Sequence, residues 1–290
     1  MLIIHKIEKT HFSSSEAVIV QYILDQGDKI KDMTVAKIAQ ATYTSPPLLI
    51  RIAKKLGYSG WNEFKEAYLK ELSYMYATSD IDASIPFVLG DDYMTIAKNI
   101  ALLQQETLQD TLSLLSHDAL YQAMKYLREC KTIDLYGVSL AMLQAEDFAE
   151  KMFCIDKSVK ICHLTGAAQR QAIMSDQTHC AILISYSGQT SFIIKVAKIL
   201  RQKGVPIIAI TSIADNELSK LAQVTLPISS REMLHTKIGE FASTQSIKYI
   251  LDTLYGCIFS LDYQNNLDRR IEIAKEIDDK VSGYEFINEK

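Results

Sequence analysis

The alternation of apolar and polar positions changes rhythm twice along this chain. Over residues 13–76 apolar side chains recur every three or four positions in short runs, the spacing of a single buried helix face. Residues 77–92, ATSDIDASIPFVLGDD, lose that period and contain Pro86 and Gly90, so they read as a linker. A long amphipathic pattern at 93–115 follows, and Ser116 caps another at 117–129. From Lys131 the chain alternates two kinds of segment. Short β-branched runs predict strands at 132–136, 159–164, 180–185, 205–211 and 224–228. Helical stretches separate them at 140–153, 167–175, 192–203 and 216–221, and a long helix at 240–261 closes the pattern. Apolar strands alternating with helices imply a parallel sheet covered on both faces. The expected fold class is therefore α/β, with an all-α N-terminal domain at 1–76, the linker at 77–92, and a doubly wound parallel-sheet domain at 93–290.

The front helices carry their own boundary signals. Ser13 and Glu16 have capping-box spacing before Ala17-Val18, and Gly27 stops that helix. Thr34 is the N-cap expected for a second helix through Val35, Ile38 and Ala39. After the turn Tyr43-Thr44-Ser45, Ser45 caps a third helix with Pro46 at its first position, where a missing N–H is harmless. Leu49, Ile52 or Ala53, and Leu56 would be buried, leaving Arg51, Lys54 and Lys55 on the other side. Gly57 ends this helix, and Gly60-Trp61 leads into a fourth at 62–72. Two short helices joined by a tight turn, the second basic on its open face, form the helix-turn-helix plan for reading the DNA major groove. Arg51, Lys54 and Lys55 would then face bases or phosphates. The alternative is a small helical bundle whose cations only solvate one face.

Composition narrows the classes. At 290 residues, 48% apolar and net −4, the chain has enough material for one large domain or two smaller ones. No apolar run approaches the roughly 18 residues of a membrane span, and residues 1–9 lack a signal-peptide core, so a cytoplasmic location is expected. Five cysteines form no CxxC pair and the six histidines no HxxxH, so neither a disulfide framework nor a metal site is expected, and no cofactor. Residues 1–76 hold ten Lys and Arg against eight Asp and Glu, and the rest 21 against 27, so the front is mildly basic and the rear acidic.

The densest chemistry lies at 180–190, CAILISYSGQT, where a buried strand empties into a hydroxyl-rich turn and a helix follows. Ser185, Ser187 and Thr190 supply hydroxyls, Gln189 an amide, and Gly188 a backbone that an anion can approach closely. The following helix adds free N–H groups and the positive end of its dipole. A plain capped turn would use the same residue types. The position at the carboxyl end of a parallel strand favours a ligand. The loop has no Lys, which excludes a nucleoside-triphosphate cradle, and the chain has no GxGxxG. Gly137 and Ser139 mark a second strand-to-helix junction, GVSLA, where Ser139 either caps the helix or meets the ligand. Glu240 and His235 precede the closing helix, where a general base could enter; Glu240 suits a first-turn helix acid or a residue that binds a ligand hydroxyl.

The loop 185–190 resembles the phosphosugar loop of the sugar isomerase (SIS) domain, which implies phosphate-binding positions for Ser185, Ser187 and Thr190. GVSLA resembles the first SIS ligand loop, Gly-x-Gly-x-Ser, with Gly137 kept, Ser139 at the second Gly and Ala141 at the Ser. The stretch TYTSPPLLIRIAKKLGYSGWNEFKEAYLKEL is similar to the helix-turn-helix of RpiR-family bacterial transcription regulators, which precedes a SIS domain in that family. Ser45, Arg51, Lys54-Lys55-Leu56-Gly57 and Gly60-Trp61 carry the likeness. Leu48 stands on the expected DNA side where the family often has a small polar residue, and Thr42-Tyr43 where it usually has Gly. The resemblance implies a non-enzymatic regulator that binds double-stranded DNA and responds to a sugar phosphate, working as a homodimer or homotetramer without membrane attachment. The subunits are expected to meet through the helices at 93–115 and 240–261. A sugar-phosphate aldose–ketose isomerase is the alternative.

Overall fold

The computed structural model describes residues 3, 6–7, 10–76, 81–162, 165–213 and 215–277. The chain divides into two compact units between Asp80 and Ile81. Within the expected elements, residues 77–80 of the linker and 163–164 of the second strand lie outside the described residues.

The first unit is all-helical: α1 (Ser14–Gln26), a 3-10 turn (Gly27–Asp32), α2 (Val35–Ala41), α3 (Pro46–Lys55) and α4 (Trp61–Tyr76). The first two helices begin where a side chain or capping box satisfies free N–H groups. The Glu16 carboxylate accepts from Ser13 N at 2.8 Å in a capping box, and Thr34 Oγ1 accepts from Lys37 N at 3.2 Å. Ile19, Ile23, Ile30, Ile38, Leu49, Ile52 and Phe64 form one fully buried core, so the four helices stabilise one another through apolar burial more than by intrinsic propensity. The turn between α2 and α3 holds Tyr43 at φ +53, a left-handed conformation that a side chain disfavours, with the ring almost wholly in solvent (98% exposed). This is where the resemblance expects Gly.

The second unit contains α5 (Tyr93–Leu114), α6 (His117–Glu129), β1 (Thr132–Tyr136), α7 (Ala141–Phe153), β2 (Ser158–Ile161), α8 (Thr165–Met174), β3 (His179–Ser185), α9 (Ser191–Gln202), β4 (Ile207–Ser212), α10 (Glu217–Leu221), β5 (Val224–Ile228), α11 (Phe241–Ser260) and α12 (Tyr263–Ile277). The sheet is wholly parallel in the order β2-β1-β3-β4-β5. Along β3, Cys180, Ile182 and Ile184 enter the core on one face, while Ala181 and Leu183 enter the core on the other. That alternation is why the strands read as continuous apolar runs. β4 starts at Ile207 rather than 205, because Pro206 has no N–H to give; its carbonyl accepts from Ala181 N at 2.8 Å. Buried Asp134 on β1 is satisfied by Ser175 Oγ (2.5 Å), His179 Nδ1 (2.7 Å) and Gln171 Nε2 (3.0 Å).

One expectation changes here. The first half of the expected linker's described part packs onto the second unit: Ala83, Ser84 and Pro86 are buried, and Pro86 O accepts from Asn99 Nδ2 at 2.8 Å, while Val88 and Leu89 are exposed. The apolar faces of α5 and α11 are turned toward each other within the chain, where Thr111 and Ser246 share a buried hydrogen bond of 2.8 Å. Outward, α5 presents Tyr93, Met94, Leu102 and Leu112.

Candidate functional site

The second unit's site follows from strand order. β1 and β3 are neighbours, but the chain leaves β1 toward β2 and leaves β3 toward β4. The two crossovers depart on opposite sides and open a crevice at the carboxyl ends of β1 and β3, the switch point where doubly wound sheets bind ligands. The loops 137–140 and 185–190 follow the carboxyl ends of these two paired strands.

In the 185–190 loop the residues divide into supports and open groups. Ser185 is buried, with Oγ 2.8 Å from Thr190 Oγ1, so this geometry makes it a brace for Thr190. Gly188 is also buried; its N–H donates to Ser185 O at 3.1 Å and its carbonyl accepts from Leu218 N at 3.0 Å. Its φ of +62 and its contact with Asn216 leave no room for a Cβ, which would stand 2.0 Å from Asn216 Cγ. Ser187 is half-exposed, its Oγ accepting a 3.2 Å bond from Gln189 N, and the Gln189 side chain is exposed. Thr190 is the N-cap residue of α9 but makes no side-chain capping bond, so the first N–H groups of that helix have no acceptor within it. Ser187, Gln189, Thr190 and those N–H groups lie together on this loop and are donors of the kind an anion accepts.

The opposite loop holds Gly137 at the end of β1, where a Cβ would press on Met142 Sδ at 3.1 Å. Ser139 does not cap the helix: α7 starts after Leu140 without a side-chain cap, and Ser139 sits exposed at φ +53. Its backbone thus takes a left-handed shape that glycine adopts more readily than serine.

Glu240 occupies the N-cap position of α11 without a side-chain capping bond, half-buried and 3.7 Å from Lys237 Nζ. His235 is exposed. The buried carboxylate beside them is Glu232, which the sequence pattern did not single out. It accepts from Ala242 N (2.6 Å), Ser243 N (2.9 Å), Ser243 Oγ (2.7 Å) and Lys237 Nζ (3.2 Å), and so caps α11 from ten residues upstream. Lys237 also lies 5.3 Å over the Tyr186 ring, and Tyr186 Oη donates to Glu232 O at 2.7 Å. No helical or strand period links residues 186, 232 and 237, so only the fold brings them together.

In the first unit, α3 buries Leu49, Ile52 and Ala53 and leaves Arg51, Lys54 and Lys55 exposed. Ser45 is exposed at the N-cap with no side-chain capping bond, and Leu48 is half-buried against the core. Glu16 on α1 holds two of the cations, with Oε1 3.2 Å from Arg51 Nε and Oε2 3.0 Å from Lys55 Nζ. Hydrogen bonding from Ser13 N, then from Lys55, lowers the buried Glu16 carboxyl from 4.5 to about 2. Lys54 makes no ion pair among the described residues.

Comparison with known proteins agrees with both halves. The family model for the rpiR-family helix-turn-helix domain matches residues 1–75, and that for the SIS domain matches 126–252. An uncharacterized HTH-type transcriptional regulator from Caldanaerobacter subterraneus subsp. tengcongensis is 27% identical over 266 residues, covering 92% of each chain. Among solved structures, the Vibrio vulnificus NanR protein complexed with ManNAc-6P superposes with a TM-score of 0.59 at 24% identity, over 96% of this chain and 98% of that one. The sugar isomerase domain of an RpiR transcription factor from Sphaerobacter thermophilus gives 0.55 at 14% identity, over 62% and 98%. At these identities the structural likeness is one of fold.

Proposed function

We propose that this chain, an RpiR-family protein with an rpiR-type helix-turn-helix domain ahead of a SIS domain, is a transcription regulator controlled by a sugar phosphate. The α3 helix reads double-stranded DNA, with Lys54, Arg51 and Lys55 on the duplex and Ser45 and Leu48 at the leading end. The cradle of Ser187, Gln189, Thr190 and the α9 N-terminus takes the phosphate, and the Gly137–Ser139 loop and Glu240 face the sugar. In the solved NanR complex the bound molecule is ManNAc-6P, which makes a phosphorylated sugar the ligand class to try first.

The observation that favours a sensor over an isomerase is the state of the carboxylates. Moving a proton between adjacent carbons requires a base free to accept it. Glu232 already receives four donors, and Glu240 faces the Lys237 ammonium. The proposed mechanism is linkage: a sugar phosphate alters DNA affinity only through different affinities for two arrangements of the protein, and DNA alters sugar-phosphate affinity by the same factor. A cytoplasmic homodimer or homotetramer on paired half-sites about one DNA turn apart fits this role.

The test is a thermal-shift screen of sugar phosphates, ManNAc-6P included, followed by NMR of the bound sugar. Binding without conversion of aldose to ketose is expected. Steady turnover abolished by Glu240→Gln would establish the isomerase instead.

A further inference from the structure

Resting on the sugar-phosphate reading above, we propose that the loop 229–240 couples that site to the segment through which the chain arrives from the DNA-binding domain. Glu232 and Lys237 of this loop hold the ligand loop: Tyr186 Oη donates to Glu232 O, and Lys237 covers the Tyr186 ring. Glu232 also caps α11. Other contacts of the loop 229–240 grip residues 81–84, directly after the first unit ends at Asp80. Arg231 donates to Ile81 O at 3.1 Å while paired to Glu106 at 2.9 Å. Met233 N donates to Ser84 Oγ at 2.8 Å, and Ile238 N donates to Ser84 O at 3.0 Å.

Burial makes these contacts move together. Ser84 is 1% exposed, and the side chains of Glu232 and Arg231 are 0% and 7% exposed. Opening one contact alone would strand a desolvated polar group, which is costly, whereas a joint shift of the loop keeps the groups paired. A phosphate on residues 187–190 fixes the backbone next to Tyr186. Tyr186 then fixes Glu232, and the loop tightens on residues 81–84. Arg231 on the loop and Ser84 on the arriving chain are positioning residues in this scheme and do not touch the sugar.

Hydrogen exchange on the full-length protein, with inorganic phosphate as the probe, tests the coupling. In the wild type, saturating phosphate should slow exchange at residues 187–193 and also at residues 81–88, the second by about fivefold or more, the lower end of ordinary coupling strengths. In Arg231→Gln the first response should persist and the second disappear. Should that variant fail to fold, Ser84→Ala is expected to give the same pattern. Protection at 187–193 without any change at 81–88 in the wild type would overturn the coupling, as would an unchanged response at 81–88 in the folded variant. Absence of protection at 187–193 would instead remove the phosphate site itself.

Discussion

Glu16, almost fully buried on α1, holds the Lys55 ammonium of α3 at 3.0 Å and is also bonded to Arg51. One carboxylate thus fastens α1 to the helix proposed to read DNA and offsets part of its charge.

Lys54, without such a counter-ion, should carry the most available charge toward DNA. Lys54→Ala is expected to weaken binding to all duplexes and to lower the slope of log affinity against log salt by about one. Glu16→Gln should act oppositely on nonspecific affinity, because it releases Arg51 and Lys55. Salt titrations by fluorescence anisotropy check both. Wild-type affinity in Arg51→Ala/Lys54→Ala would take α3 out of the interface.

The same carboxylate makes the first unit acid-sensitive. Its pKa falls from 4.5 to about 2 on folding, so the unfolded chain binds the proton more readily. This stabilisation is present above the unfolded pKa and is lost as pH falls from about 5 toward 2. Denaturant melts should show that loss, and Glu16→Gln should be less stable at pH 7 with a flatter acid limb.

Tyr43 offers a change in the other direction. A left-handed tyrosine costs about 1–2 kcal/mol, and the exposed ring gives up no packing if removed. After the entropy that glycine adds to the unfolded chain, Tyr43→Gly should still stabilise by about 0.5–1 kcal/mol. A melting temperature that stays put or falls would point to a contact of Tyr43 outside the strain argument.

Serines 185 and 187 should separate binding from support. Hydrogen bonds to a charged group are worth roughly 1.5–3 kcal/mol, so Ser187→Ala should weaken sugar-phosphate binding about tenfold to a hundredfold with little change in melting. Ser185→Ala removes the buried brace of Thr190 and should lower the melting temperature as well. Calorimetric titration and melting of the same two proteins decide this. Unchanged affinity in Ser187→Ala would make the loop an ordinary turn.

Gly188→Ala is expected to be the most damaging single change in the loop. Its methyl group would meet Asn216, which caps α10 and donates to Thr211 Oγ1 at 3.1 Å. Strain and displacement together should cost about 2 kcal/mol or more and abolish phosphate binding. A soluble, normally melting Gly188→Ala protein would contradict the packing described for this loop.

Most of the fold was legible from residue order. Helix and strand periods, the caps at Ser13, Thr34 and Ser116, and Pro46 at a helix start all act between neighbours along the chain, because backbone hydrogen bonds span a few residues. The hydroxyl-rich turn at 185–190 was visible for the same reason: a strand end and a helix start flank it directly. Tertiary structure decided which of those hydroxyls face outward, turning Ser185 inward to Thr190 and leaving Ser187 open. It also joined Glu16 to Arg51 and Lys55, Glu232 to the start of α11, and Arg231 to Ile81 and Glu106. Such pairs leave no period in the sequence. Their separation depends on how buried faces stack, and a buried charge finds its partner only after the apolar surfaces around it have packed.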